Sequence, residues 1–442
     1  MVMRLRVLMN GEMVGSFDRT LSGSHHFSYA ESWLNSPLAR PISLSMPLQR
    51  ATYQGKEVIN FFDNLLPDNP QIRARIATRF NAETQQPFDL LAKIGRDAAG
   101  AITLLGEDEQ IPNHRIIQAT ELNESEMAKI LQSYQYNVPL GMIDNNQDFR
   151  ISIAGAQEKT ALLWHNGKWK LPHGLTPTTH IFKLPMGEIR TPKHLLDLSK
   201  SVDNELVCLR LFSAFNIPSA NVELLEMNDI RALAVERFDR RLSQDGSYFL
   251  RLPYEDFCQA FGLSPTQKYE SDGGIGVGIG IGDMMNKLLY SSNSNDRRQF
   301  MQTQFLFWLL AAIDGHAKNF SLAIEKQGRY HLSPVYDVLS SYPMLGGKGW
   351  HHSELQMAMS LRSTQKGKKW HWSKIYAEHF YATAKFVGFS SSDMKQVIEQ
   401  ICDTVQETID SVATTLPKQI DENVRDQIFT GIMKQVQKVS MK

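Results

Sequence analysis

Between residues 4 and 17 apolar and polar side chains alternate on either side of Asn10-Gly11, a dipeptide that accepts the positive φ of a tight hairpin turn, so two paired strands are predicted. Phe61 to Phe80 reads as a loop followed by an amphipathic helix after Pro70. A polar, weakly patterned connector covers roughly residues 106 to 125. The two-residue period returns from Phe149 to Leu171 as strand, small-residue loop, strand, Asn166-Gly167 turn and strand. HIFKLP, 180 to 185, predicts a further strand, 201 to 215 an amphipathic helix, and 221 to 240 a hairpin across Asn228-Asp229. Together they predict a small antiparallel sheet carrying a helix.

Past about residue 241 the period lengthens. Met394, Val397, Ile398, Ile401, Val405, Ile409, Val412 and Leu416 recur every three or four positions, and Val424, Ile428, Ile432, Val436 and Val439 continue in that manner. Phe305 to Ile313 is continuously apolar and should end a buried helix. The pattern predicts an α+β fold of two lobes. An N-terminal subdomain would span 1–110, a mixed-sheet lobe 111–240 and an all-helical lobe 241–442, with a ligand cleft between the lobes.

The 442 residues exceed one compact core, and 42% hydrophobic with 21% charged residues describes an ordinary globular chain. Lys plus Arg balance Asp plus Glu at 47 each, which removes any global pull toward nucleic acid or membrane. Cys208, Cys258 and Cys402 form neither a metal-knuckle spacing nor an even disulfide set. With arginines inside the first short apolar stretch and no apolar run near ~20 residues, a cytoplasmic location is expected.

DGHAKNF, 314 to 320, carries the chemistry. Asp314, Asn319 five residues on, and Asp337 in SPVYDVLS are the side chains that phosphoryl transfer from ATP requires. One carboxylate accepts a hydroxyl proton; the amide and the other carboxylate are oxygen ligands for Mg²⁺. His316, inside the motif, is grouped with the nucleotide-binding residues. A polar turn after a core helix is the bland alternative. Three further parts lie upstream. The loop Ala154, Gly155, Ala156, Gln157, Glu158 and Lys159 is small enough to bring backbone N–H groups to phosphate, although it is neither a Walker loop nor GxGxxG. Lys183 on IFKLP suits the α and β phosphates, oriented by Glu205 or by Asp203 on the following helix. AVERFDR, 234 to 240, ends the sheet where a hinge would meet adenine, with Phe238 able to touch the base. The glycine-rich segment Gly273 to Gly282 lacks GxGxxG and reads as a flexible loop at the cleft mouth.

In this order SIAGAQEKTA, IFKLP, SVDNE, AVERFDR, IDGHAKNFS and SPVYDV closely resemble the HipA serine/threonine kinase toxins, as do FFDNLLPD and QPFDLLAKIGRDAAGA near the N-terminus. The resemblance implies a two-lobed protein-kinase-like fold whose helical lobe is similar to phosphatidylinositol kinases, with a separate N-terminal subdomain. It implies Asp314 as catalytic base, Asn319 and Asp337 as Mg²⁺ ligands, Lys183 as phosphate lysine, and Glu236 with Phe238 at the adenine hinge. Ser152, between Ile151 and Ile153, matches the serine these kinases phosphorylate on themselves; its phosphate would add about −1.5 to −2 charge beside those of ATP and switch the enzyme off. The implied partners are a HipB-like helix-turn-helix antitoxin dimer, operator DNA through that complex, and glutamyl-tRNA synthetase as substrate, whose loss stalls translation. Lys366, Lys368 and Lys369, in a basic aromatic stretch, are candidate contacts to DNA phosphates. A corepressor with weak catalysis is the competing reading. A small-molecule or lipid kinase is a third, without a basic amphipathic helix to support it.

Overall fold

The computed structural model describes residues 3–135, 159–271, 278–365 and 367–440. Ser152, the loop residues Ala154 to Glu158, Lys366 and the glycine-rich residues 273–277 lie outside the described residues.

The N-terminal hairpin forms as the alternation requires: Met3–Met9 pairs antiparallel with Glu12–Arg19, and Asn10 and Gly11 both take positive φ at the turn. The sheet runs Tyr53–Gln54, His25–Tyr29, Glu12–Arg19, Met3–Met9, Ile102–Gly106. Its buried face packs on helices Lys56–Asp63 and Pro87–Ile94, with Phe17 stacked on Phe62 at 3.9 Å and tilted against Phe88 at 5.1 Å. The stretch from Phe61, expected as a loop, is the last turn of helix Lys56–Asp63, because Val58, Phe61 and Phe62 together fill that core. Helix Pro70–Arg79 then begins where proline predicted, capped by Asn69, which accepts from the Gln71 N–H.

The second sheet has six antiparallel strands in the order Val222–Met227, Ile230–Glu236, His180–Lys183, Lys159–His165, Lys168–Pro172, Ala119–Glu121. Asn166-Gly167 and Asn228-Asp229 supply the positive φ angles of its two hairpin turns. Helix Ser201–Ala214 lies on this sheet and is buried on nearly every side, its polar Asp203, Asn204 and Glu205 included. It is therefore sandwiched, packing also on helices Ser391–Thr415 and Glu422–Ser440. One hydrophobic core runs from Val202 through Phe305 and Trp308 to Val436, so that this helix belongs mechanically to both lobes.

The C-terminal lobe is built around the buried helix Asp296–Leu309 and the 25-residue helix Ser391–Thr415, whose apolar stripe is buried as the period predicted. It is not all-helical. A three-stranded sheet of Tyr254–Asp256, Ser321–Ile324 and Tyr330–Leu332, and a hairpin of Gln356–Arg362 with Lys368–His371, correct that expectation. The sheet meets the helix at its start, where Asp296 accepts from the Leu332 N–H, and the hairpin meets the turn beyond its end, where the Ala358 N–H donates to the Ile313 carbonyl. The glycine-rich segment ends in structure too, since Ile281 and Gly282 open helix Ile281–Lys287.

Candidate active site

The chain leaves helix Asp296–Leu309, turns through Ala311 at φ +49°, and reaches Asp314. Gly315 is dictated by packing: a Cβ there would meet the Phe307 ring at 2.2 Å. The loop closes on itself. The Asp314 carbonyl accepts from the His316 N–H at 2.8 Å and from Asn319 Nδ2 at 2.8 Å, and Asn319 N–H donates to the His316 carbonyl at 2.9 Å. The Asn319 carboxamide oxygen is thus oriented by its own amide nitrogen. The Tyr269 hydroxyl donates to Asp314 Oδ1 at 2.6 Å, and its ring stands edge-on to His316. His316 is buried, and Nδ1 has no partner among the described residues; burial pushes its imidazole below the ordinary histidine range, against the pull of Asp314 and Asp337.

On the sheet side, Lys183 Nζ donates to Glu205 Oε1 at 2.7 Å and Oε2 at 2.9 Å, and to Asp337 Oδ1 at 2.5 Å. Glu205 is therefore the helix acid; Asp203 instead binds Arg231. Burial alone would lower Lys183, but Asp337 and Glu205 outweigh it and hold the ammonium above its ordinary range. Asp337 is held well below the carboxylate range: Lys183 and Lys159 overcome its burial. Lys159 stands directly opposite Lys183 in the neighbouring strand, so both project from one sheet face. Burial brings Lys159 down to about 8 despite Asp337 nearby. Like charges so paired repel unless anions sit between them, which is what a polyphosphate would do.

Asp337 takes φ +59°, a left-handed conformation that costs a non-glycine residue energy. Neighbouring Tyr336 is locked by donating to the Lys318 carbonyl at 2.8 Å and accepting from Ser321 Oγ at 2.6 Å. At the hinge, the Glu236 and Arg237 N–H groups already donate to the Asn221 and Thr179 carbonyls, so neither N–H is open to a base. Phe238 is partly buried against Tyr254 and Tyr336, and the exposed Glu236 side chain accepts from Asn221.

A cavity of about 480 Å³ opens beside Asp314, walled by Tyr269, Ile313, Met357, Ala358 and Trp370. The basic aromatic stretch forms part of that wall: Lys368 is bound by the buried Glu270 at 2.7 Å, Lys369 is half-buried on the same strand, and Trp372 lies in the core. Residue-level reasoning missed Tyr269 and Lys318, and read Trp370 only as part of the basic aromatic stretch. Lys318 alone carried a signal, a lysine inside a buried motif.

Among the described residues no cluster of three His, Cys, Asp or Glu side chains forms a metal cage. Mg²⁺ fits nonetheless, since it commonly takes one or two protein oxygens and completes its shell with phosphates and water. The charged Asp337 and the oriented Asn319 amide provide that donor set, and the two lysines suit ATP.

The profile of the HipA-like C-terminal domain matches residues 151–409, and that of the HipA N-terminal domain matches residues 5–105. The chain is 31% identical over 415 residues to the putative kinase Y4mE of Sinorhizobium fredii, covering 92% of this chain and 90% of that protein. It is 27% identical over 431 residues to the serine/threonine-protein kinase toxin HipA of Shewanella oneidensis, covering 95% and 90%. The fold superposes with a TM-score of 0.80, at 23% identity, on the solved Shewanella oneidensis complex of HipA, HipB and operator DNA, covering 99% of this chain and 97% of that one. The architecture is the two-lobed α+β kinase-like fold. The protein belongs to the HipA family of serine/threonine kinases.

Proposed function

We propose that this kinase transfers the γ-phosphoryl group of ATP to a serine or threonine hydroxyl of a protein, and that it is the toxin of a toxin–antitoxin pair. The carrying observation is the bridge from Glu205 through Lys183 to Asp337, which joins the sheet lobe to the segment just beyond the Asp314–Asn319 loop. The acceptor oxygen attacks the γ-phosphorus while Asp314 takes its proton, and the bond to the β–γ bridging oxygen breaks to release ADP. Tyr269 occupies Asp314 Oδ1, leaving Oδ2 as the acceptor. Lys183 and Lys159 hold the phosphates; the hinge at Glu236 and Phe238 holds adenine. Mg²⁺, bound by Asn319 and Asp337 with ATP, would neutralise charge developing on the phosphates.

Self-inactivation at Ser152, neutralisation by a HipB-like dimer, and corepression on operator DNA complete this reading, with glutamyl-tRNA synthetase as the first substrate to try. Lys369 beside the Glu270-bound Lys368, with Lys366, would meet operator phosphates. The test is label incorporation from γ-labelled ATP with Mg²⁺, comparing the natural chain with Asp314→Ala and mapping modified residues by mass spectrometry. Label on Ser152 or on glutamyl-tRNA synthetase, lost in the variant, supports the reading. ATP binding without transfer to any protein favours the corepressor.

A further inference from the structure

The N-terminal domain reaches into the site through FFDNLLPD. Lys318, the residue between Ala317 and Asn319, is 6% exposed, and its ammonium donates to Asn64 Oδ1 at 2.7 Å and to the Asn64 carbonyl at 3.2 Å. Asp256 of its own lobe lies 3.2 Å away and Asp68 3.7 Å away. Asp68 also pairs at 3.0 Å with Lys268, whose carbonyl accepts from the Ala317 N–H. Asn64, 1% exposed, donates through Nδ2 to the Leu263 carbonyl at 2.8 Å, and Asn60 does the same to Gly262. A buried ammonium holds its place only if its donors are satisfied, and two of the three partner residues here, Asn64 and Asp68, come from a different domain.

A second, separate contact holds the hinge. Asp97 accepts from the Thr178 N–H and hydroxyl at 3.0 and 2.7 Å and from Arg240 at 2.9 Å, while Arg237, the residue between Glu236 and Phe238, donates to the Ala98 carbonyl. Gly100 N–H donates to Asp239 at 2.7 Å.

We propose that the N-terminal domain is a working part of the kinase site: Asn64 and Asp68 are positioning residues that set the Asp314–Asn319 loop through Lys318. Because the hinge has its own brace at Asp97, loosening the Lys318 brace should slow the chemical step while leaving ATP affinity nearly intact. The inference rests on the assignment of Asp314 and Asn319 proposed above.

The experiment uses the full-length chain, with γ-labelled ATP, Mg²⁺ and a mixed serine/threonine peptide library as acceptor. Rates are taken at a temperature where circular dichroism shows every variant fully folded. Asn64→Ala and Asp68→Asn are expected to lower kcat about 10- to 100-fold, since small misplacements at a reacting centre cost that much. The KM for ATP should stay within about threefold. Asn64→Asp keeps an acceptor facing Lys318 but loses the Nδ2 donation to the Leu263 carbonyl, so its kcat should fall between those of Asn64→Ala and the natural chain. Val7→Ala, a core cut in the sheet of the same domain and away from FFDNLLPD and Asp97, should lower Tm and leave kcat unchanged. Without nucleotide, amide exchange over residues 314–320 should speed up in Asn64→Ala and not in Val7→Ala. A kcat for both Asn64→Ala and Asp68→Asn within about twofold of natural, with Asp314→Ala inactive, overturns the positioning role alone. Transfer persisting in Asp314→Ala overturns the underlying site assignment and this inference with it.

Discussion

Lys183 is a cation that can be buried only in company. With Glu205 2% exposed and Asp337 against it, removing the ammonium leaves both carboxylates without a hydrogen-bonded cation and with only Lys159 nearby, a loss of about 3–5 kcal/mol in buried pairs. Lys183→Met should therefore unfold at markedly lower denaturant and lose transfer. Lys183→Met with Glu205→Leu should regain much of the stability and none of the activity, read by urea titration beside the kinase assay; equal stability of the single and double variants contradicts the account. Residue identity and order were enough to nominate Lys183, Asp314, Asn319 and Asp337 from the chain, and the fold sets Lys183 against Asp337. The choice between Asp203 and Glu205 was not legible there, because two positions on a helix differ by about 200° in direction and only packing tells which one faces the strand. Tyr269 was invisible for a related reason: no local pattern distinguishes a tyrosine that ends on a carboxylate 45 residues away.

Among the elements, long periodic helices were legible and short strands were not. Helix Ser391–Thr415 spans seven turns, so its stripe repeats often enough to fix which face is buried; Tyr254–Asp256 and Tyr330–Leu332, at three residues each, present no period to read. The helix also carries load, packing on helices Ser201–Ala214 and Asp296–Leu309, the two that bear Glu205 and lead to Asp314. Ile401 is 2% exposed in that contact, and Ile401→Ala should destabilise the chain by about 2–5 kcal/mol in chemical denaturation. A loss below about 1 kcal/mol would mean the site relaxes into the cavity and the shared core is less rigid than its packing implies.

For the whole molecule, the contact of the N-terminal domain with the C-terminal lobe contains a pH-sensitive group. Glu255 Oε1 accepts from the Leu44 N–H at 2.8 Å, Oε2 has no partner among the described residues, and burial pushes the carboxyl up to about 8. Such a group binds more protons folded than unfolded, so its contribution to stability declines as pH rises from its ordinary 4.5 through about 8 and is level beyond. Glu255→Gln removes the titration. Its Tm should match the natural protein's near about pH 5 and exceed it by a growing margin up to about pH 8.5; a constant difference across that range refutes the assignment.

Taken alone, the sequence determined the elements whose periods are long, the hairpin turns at Asn-Gly and Asn-Asp, and the candidate groups of the site, since these depend on neighbours within a few residues. Tertiary structure alone decided that Lys159 and Lys183 share a face, that Glu205 rather than Asp203 holds the lysine, and that FFDNLLPD closes on the Asp314 loop. Each of those depends on groups tens to hundreds of residues apart satisfying one another's buried charge. Such pairings are selected by the desolvation cost of leaving any of them alone, and that cost exists only once the chain has closed around them.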